Sequence, residues 1–318
     1  MAKAEQIKAL IKSYLTDNDK EKFRVLSLQI AAYEAKRGHL SLASEIKEII
    51  DKSQKENNKI LQFTPDLSDL VLLTKSKGYL KELIVSEDLA FKINRILKEY
   101  NSRQKLYEYG LFNRRKLLLV GAPGTGKTMT ASVIATELGL PLYTVQMDKL
   151  INKYMGETGA KLRQIFDIIK SKQGVFLFDE FDAIGTERNT DNEVGEMRRV
   201  LNSFLQFIEN DESESLIMAA TNNISLLDQA LFRRFDDILD YNKPDEKQIE
   251  TLLKNKLAGF KTNFKIKTII NKACGLSHAD IVRACTDAIK EFILEDLDTI
   301  SKENLSKLLD DRKGIYNS

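Results

Sequence analysis

The sequence predicts an α/β fold: a doubly wound parallel sheet, preceded by a helical N-terminal domain and followed by a helical lid. Three observations predict it. Between residues 116 and 241 short apolar runs alternate with helix-period segments, the pattern of a parallel sheet covered on both faces. The first of those runs leads into GAPGTGKT at 121–128, a complete phosphate-binding turn that requires a strand before it and a helix after it. Before residue 53 and after Pro244 the apolar residues recur only at helical spacing.

The elements follow in order. Ile7, Leu10, Ile11, Tyr14 and Leu15 fall on one helical face, which Asp17-Asn18-Asp19 interrupts. Phe23, Leu26, Ile30 and Ala31 start a second stripe, with Gly38 placed to end it. Leu42, Ala43, Ile46, Ile49 and Ile50 form a third. These three helices make a domain over 1–52 by burying their stripes against one another. Residues 53–85 read as a linker, opening on Ser53 to Lys59, which lacks any apolar residue. The α/β core spans 86–243. Ser86 caps a helix bearing Leu89, Ile93, Ile96, Leu97 and Tyr100. Strands are expected at Leu117–Val120, Leu142–Val145, Val175–Phe178, Leu216–Ala220 and Ile238–Tyr241. Between the third and fourth of these, Val200, Leu201, Phe204 and Leu205 share the buried face of a helix. The lid, 244–318, opens on the stripe Ile249, Leu252, Leu253 and Leu257.

Composition excludes several functions. The 318 residues carry Lys+Arg 49 against Asp+Glu 47, a net charge of +2. That balance argues against a general binder of nucleic acid or membrane surface. Two histidines, His39 and His278, and two cysteines, Cys274 and Cys285, are too few for an HExxH protease site or a Cys/His zinc cluster. They also argue against a disulfide framework, so a reducing cytoplasm fits. The N-terminus has no apolar signal core, and no run of about 18 apolar residues exists to span a membrane.

In GAPGTGKT the glycines let backbone N–H groups wrap phosphate oxygens, and the following helix adds its positive N-terminal dipole. The binding residues are then Ala122, Pro123, Gly124, Thr125, Gly126, Lys127, Thr128 and Met129. Lys127 neutralises the β- and γ-phosphates, and the Thr128 hydroxyl binds Mg²⁺. The run VFLFDE places Asp179 and Glu180 at the carboxyl end of a strand, where ligands of such sheets sit. Asp179 suits the Mg²⁺ shell. Glu180, pointing the other way along the pleat, suits polarisation of a water for in-line attack.

GAPGTGKT followed by FLFDEFDAI resembles the Walker A and Walker B motifs of the AAA class of ATPases, in a bacterial-type chain, and the likeness runs to about residue 290. The resemblance implies ATP as substrate, Mg²⁺ as cofactor and assembly into a ring, a hexamer in the family. It makes Asn222 in LIMAATNN the sensor of the γ-phosphate, a role for which an amide is suited. It makes Arg233 and Arg234 candidates to reach the nucleotide of a neighbouring subunit, since a guanidinium is always charged and bidentate. The two are adjacent, as in the katanin and spastin branch, which leaves open which one acts. Tyr154 and Met155 match in position the first pore loop, which grips polypeptide. Gly110 stands where the family contacts adenine through backbone. GLSHAD at 275–280 resembles the sensor-2 segment; His278 either meets the base or simply starts a helix capped by Ser277.

The function so implied is an ATP-driven ring motor that remodels, unfolds or disassembles a protein substrate through a central pore, in the cytoplasm. The N-terminal helices would select the substrate or adaptor. With no protease site of its own, the chain would hand products to a separate protease or effector, or release them. Two alternatives belong to other classes: a nucleotide-dependent switch that regulates a partner without threading, and a nucleic-acid motor, against which the charge balance counts.

Overall fold

The computed structural model describes residues 20–36, 39, 42, 44–47, 69–153, 157–184, 191–223 and 232–314. The chain divides into two compact units, Met1–Pro65 and Asp66–Ser318. In the first unit, α1 (Lys20–Lys36) forms where the second stripe is expected. Among its described side chains Ser27, Ile30, Ala31 and Glu34 are buried, one face at helical spacing. Residues 42 and 44–47, also described, are helical. The first stripe, Ile7 to Leu15, lies outside the described residues.

The second unit is built on a six-stranded sheet: β1 (Val71–Thr74), β2 (Lys116–Gly121), β3 (Leu142–Gln146), β4 (Val175–Asp179), β5 (Leu216–Thr221) and β6 (Asp237–Tyr241). Their order is β1-β3-β4-β5-β2-β6. All neighbours are parallel except β1, which runs antiparallel to β3 with Val71 opposite Val145. The five expected strands therefore stand within a residue or so of their expected positions. The linker expected over 53–85 is corrected in its second half. Leu70 and Val71 are buried, and β1 adds an edge to the sheet. Four apolar-rich residues suffice for a strand when a neighbouring edge offers its hydrogen bonds.

The apolar runs hide an alternation of period two. Alternate positions of each strand, such as Leu117 and Leu119, Val175 and Leu177, and Leu216 and Met218, pack beneath α2 (Glu87–Asn101) and α4 (Lys127–Leu138). α3 (Arg103–Glu108) follows α2. The Ser86 hydroxyl accepts the Leu89 N–H at 3.3 Å, capping α2 as expected. On the other face Phe178 meets Phe166 of α6 (Thr158–Ser171) and Phe204 of α7 (Asp191–Glu209), with ring centroids 5.8 and 5.0 Å apart. α5 (Met147–Lys153) lies between β3 and α6 in sequence. Helices on both faces with the strands buried between them are the doubly wound arrangement.

After β6 come α8 (Glu246–Leu257), the single turn α9 (Ile270–Ala273), α10 (His278–Leu294) and α11 (Lys302–Gly314). They share a separate apolar core that includes Ile249, Leu253, Leu257, Ile281, Cys285 and Leu305. Burial raises the Cys285 thiol to about 12, so it serves as a small apolar side chain. Among the described residues no helix is long and apolar enough to cross a membrane.

Candidate functional site

Three strands deliver the site, and all deliver it at their carboxyl ends. β2 ends at Gly121, β4 at Asp179, and β5 at Thr221, one residue before Asn222. Pairing of Val120 with Thr221 sets Asn222 beside Gly121.

The loop between β2 and α4 is shaped by its glycines. At Gly121 a Cβ would meet the Tyr241 carbonyl oxygen at 2.2 Å, so no side chain fits. Gly124 has φ 76°, and a Cβ there would stand 2.6 Å from the Ser277 hydroxyl. The close approach is used: Ala279 N–H, in the first turn of α10, donates to the Gly124 carbonyl at 3.0 Å. Ser277 caps α10, accepting the Asp280 N–H at 3.2 Å, while Asp280 accepts the Ser277 hydroxyl at 2.6 Å. Lid and phosphate loop are thus joined backbone to backbone.

Lys127 is 7% exposed. Its ammonium donates to the carbonyls of Gly121 at 2.6 Å and Ala122 at 3.0 Å, and to Asn222 Oδ1 at 2.9 Å. Burial lowers its pKa, and the carboxylates of Asp179 and Asp182 pull it back up. Thr125 is buried and donates to the Ala122 carbonyl at 2.8 Å. Thr128 Oγ1 donates to Asp179 Oδ2 at 3.0 Å. Two hard oxygen donors side by side are what Mg²⁺ takes from a protein when substrate phosphates complete its shell. Thr128 and Asp179 therefore fit that ion, while among the described residues no cluster of three or more acidic, His or Cys ligands could hold a metal alone.

The pleat does not aim Glu180, contrary to the sequence expectation. β4 stops at Asp179, and Glu180 takes φ 54° with its N–H donating to Asp179 Oδ1 at 3.0 Å. A left-handed glutamate is strained by about 1–3 kcal/mol, and such strain gathers at functional sites. The following turn, Phe181–Ile184, is pinned by Phe181, fully buried and 4.5 Å from the Phe204 ring. From that turn Asp182 accepts the Asn222 N–H at 3.1 Å. Sequence reasoning passed over Asp182; its signal was a third carboxylate in Asp-Glu-Phe-Asp, three residues after the strand end.

Other expected residues are not brought here. Gly110 follows α3 at the amino end of β2, where Arg114 pairs with Glu99 and Arg115 with Asp211. The length of β2, about 16 Å, separates it from the loop, so the expected adenine contact at Gly110 is corrected. Closeness to the turn in sequence was misleading because β2 runs away from Gly110 for its whole length. Arg233 and Arg234 also lie at the amino ends: Asp236 accepts the N–H groups of Arg115 and Lys116, and Asp237 pairs with Leu117. Arg233 is exposed, and Arg234 is half-buried with its Nε 3.4 Å from Glu209. His278 is half-buried beside Val85, Ser86, Leu89 and Tyr241. Burial lowers its pKa; the Ile84 backbone opposes this weakly, and neither ring nitrogen has a partner in hydrogen-bonding geometry. Pro123 is exposed on the loop, and Thr128 and Met129 are exposed in the first turn of α4. Tyr154 and Met155 lie outside the described residues.

Residues 117–243 match the model of the family described as "ATPase family associated with various cellular activities (AAA)". The chain is similar to the AAA family ATPase y4kL of Sinorhizobium fredii, at 32% identity, with 98% of this chain and 96% of the relative covered. It is also similar to the proteasome-activating nucleotidase of Methanoregula boonei, at 32% identity over 62% of this chain and 47% of the relative. It thus spans about half of that longer protein. The solved FIGL-1 AAA domain superposes with a TM-score of 0.63, covering 82% of this chain and 96% of that one, and at 20% identity the likeness is one of fold.

Proposed function

This chain belongs to the AAA family of ATPases and hydrolyses ATP, and from that premise we propose that it is a ring-forming motor acting on a protein substrate. One observation carries the reading. The phosphate loop, Asp179, Glu180 and Asn222 gather at the carboxyl ends of the sheet, while Arg233 and Arg234 sit at its amino ends. From Asp237 to Tyr241 β6 covers about 13 Å, and the arginines stand before Asp237. They cannot serve their own loop, which supports their service to a neighbour's. Such a head-to-tail contact closes into a ring when the rotation between copies divides a full turn.

In this reading Lys127 holds the β- and γ-phosphates and Asn222 orients the γ-phosphate or the attacking water. Glu180 takes the proton of that water. Thr128 and Asp179 would hold Mg²⁺, which neutralises charge developing on the phosphate oxygens. Tyr154 and Met155 act on substrate in the pore, and residues 1–52 select substrate or adaptor. A cytoplasmic setting and a separate protease or effector complete the proposal. The relative's name, proteasome-activating nucleotidase, agrees with the last of these.

Replacing Lys127 by Ala is expected to abolish ATP binding, read with a fluorescent nucleotide. Glu180→Gln is expected to bind ATP normally and lose on the order of 100-fold or more in turnover. Normal turnover in Glu180→Gln would remove the glutamate from the base role. Tyr154→Ala separates threading from switching. Loss of substrate remodelling with ATPase activity kept supports threading, and unchanged remodelling supports the switch.

A further inference from the structure

Asn222 is the residue through which the site's parts are tied together. Its side-chain oxygen accepts the Lys127 ammonium at 2.9 Å. Its backbone is held separately: the N–H donates to Asp182 Oδ1 at 3.1 Å. Next to it, Thr221 Oγ1 accepts the Asn223 N–H at 3.1 Å and donates back to the Asn223 carbonyl at 3.2 Å. The strand β5 has ended by then, so the sheet no longer fixes the peptide that carries the amide. The Asn222 N–H is anchored instead from another element, the turn after β4. That turn is itself immobilised, because Phe181 is fully buried against Phe204.

We infer that Asp182 is a positioning residue for ATP hydrolysis: by holding the Asn222 N–H, it fixes where the Asn222 side-chain amide stands relative to Lys127 and the phosphates. The inference rests on the reading of Asn222 as the γ-phosphate sensor. The geometry makes the arrangement a three-membered relay across two strand ends. Asp182 sits in the turn that directly follows Asp179 and Glu180, so one hydrogen bond links the Asn222 peptide to the strand end that carries those carboxylates. What Asp182 contributes is one accepted hydrogen bond in the right place. A displacement of about 1 Å at a catalytic group is enough to lose on the order of 100-fold in rate.

The test is steady-state ATP turnover by the full chain, with nucleotide affinity measured alongside. Asp182→Ala is expected to lower kcat on the order of 10- to 100-fold, with KM for ATP changed by less than about threefold. Asp182→Asn keeps an oxygen able to accept the same bond and is expected to restore kcat to within about threefold of the parent. Asp182→Leu, similar in size and unable to accept, repeats the loss should the alanine variant fold poorly. Combining Asp182→Ala with Asn222→Ala is expected to lower kcat no further than Asn222→Ala alone, because both act through one amide. Parental kcat in Asp182→Ala overturns the inference. So does failure of Asp182→Asn to restore turnover, or a double variant whose losses multiply. Parental kcat in Asn222→Ala removes the sensor role and overturns the inference with it, whereas an impaired Asn222→Ala beside a parental Asp182→Ala leaves the sensor role standing and overturns the inference alone.

Discussion

At the residue scale, a motif identifies side-chain chemistry better than it identifies direction. Lys127, Thr128 and Asp179 are candidates from the residues themselves, because a phosphate site needs a cation, a hydroxyl and a carboxylate, while Asn222 comes from the family resemblance; the sheet brings the four together at its carboxyl ends. Glu180 could be named but not aimed. Its left-handed backbone follows from the turn beyond β4, not from the pleat. His278 is the clearest case of a residue whose neighbours decide its behaviour. Burial holds its folded-state pKa below 6.5. Above about pH 6.5 the imidazole is neutral in folded and unfolded chains alike, and stability is full. As the pH falls below that value, the unfolded chain takes up a proton that the folded chain refuses, so stability falls. The loss levels off beneath the folded pKa. Its size is about 1.4 kcal/mol for each unit by which the pKa is depressed. Thermal melts of the parent and of His278→Asn between pH 7.5 and 5 check this: the parent is expected to lose more. Identical slopes would show that the ring meets water in the folded protein.

At the element scale, strands that end in a motif were legible and the electrostatic seam at their other ends was not. Apolar runs marked β2 to β6 because strands buried on both faces cannot afford polar residues. β1 was hidden, since its four residues gain their stability from the β3 edge rather than from any pattern of their own. The seam is equally invisible in sequence. Arg115 pairs with Asp211 before β5, Arg95 with Asp237 at the start of β6, and Arg114 with Glu99 at the end of α2. The Asp211 side chain is fully buried, and it also accepts the Ser213 hydroxyl at 3.0 Å. Removing one partner of such a pair leaves the other charge poorly solvated. Asp211→Ala is therefore expected to destabilise the chain by about 3 kcal/mol. Urea unfolding would show it as a lowered midpoint at unchanged slope. A change below about 0.5 kcal/mol would mean that water replaces the carboxylate at Arg115.

At the scale of the whole molecule, the proposed reaction centre divides into two halves across one sheet. The half that binds phosphate lies at the carboxyl ends, and the arginine pair lies a strand's length away at the amino ends. Two copies placed head to tail would bring the halves together. Of the pair, Arg233 is exposed and suited to reach outward, whereas Arg234 is drawn to Glu209 at the end of α7. Arg233→Ala alone is accordingly expected to bind ATP and to turn over little. Lys127→Ala is expected to bind none. Neither variant is active by itself, yet each retains the half that the other lacks. In a one-to-one mixture, about a quarter of head-to-tail contacts would place an intact loop against an intact arginine. Turnover should then recover towards about a quarter of the parental value, rising and falling with the mixing ratio. The parallel mixture made with Arg234→Ala asks whether that residue reaches across or only steadies its neighbour, since a steadying role predicts residual turnover before any mixing. Absence of recovery at every ratio, with both variants folded and mixed assemblies formed, would place the whole site within one chain and leave the arginine pair a structural feature of the sheet's amino edge.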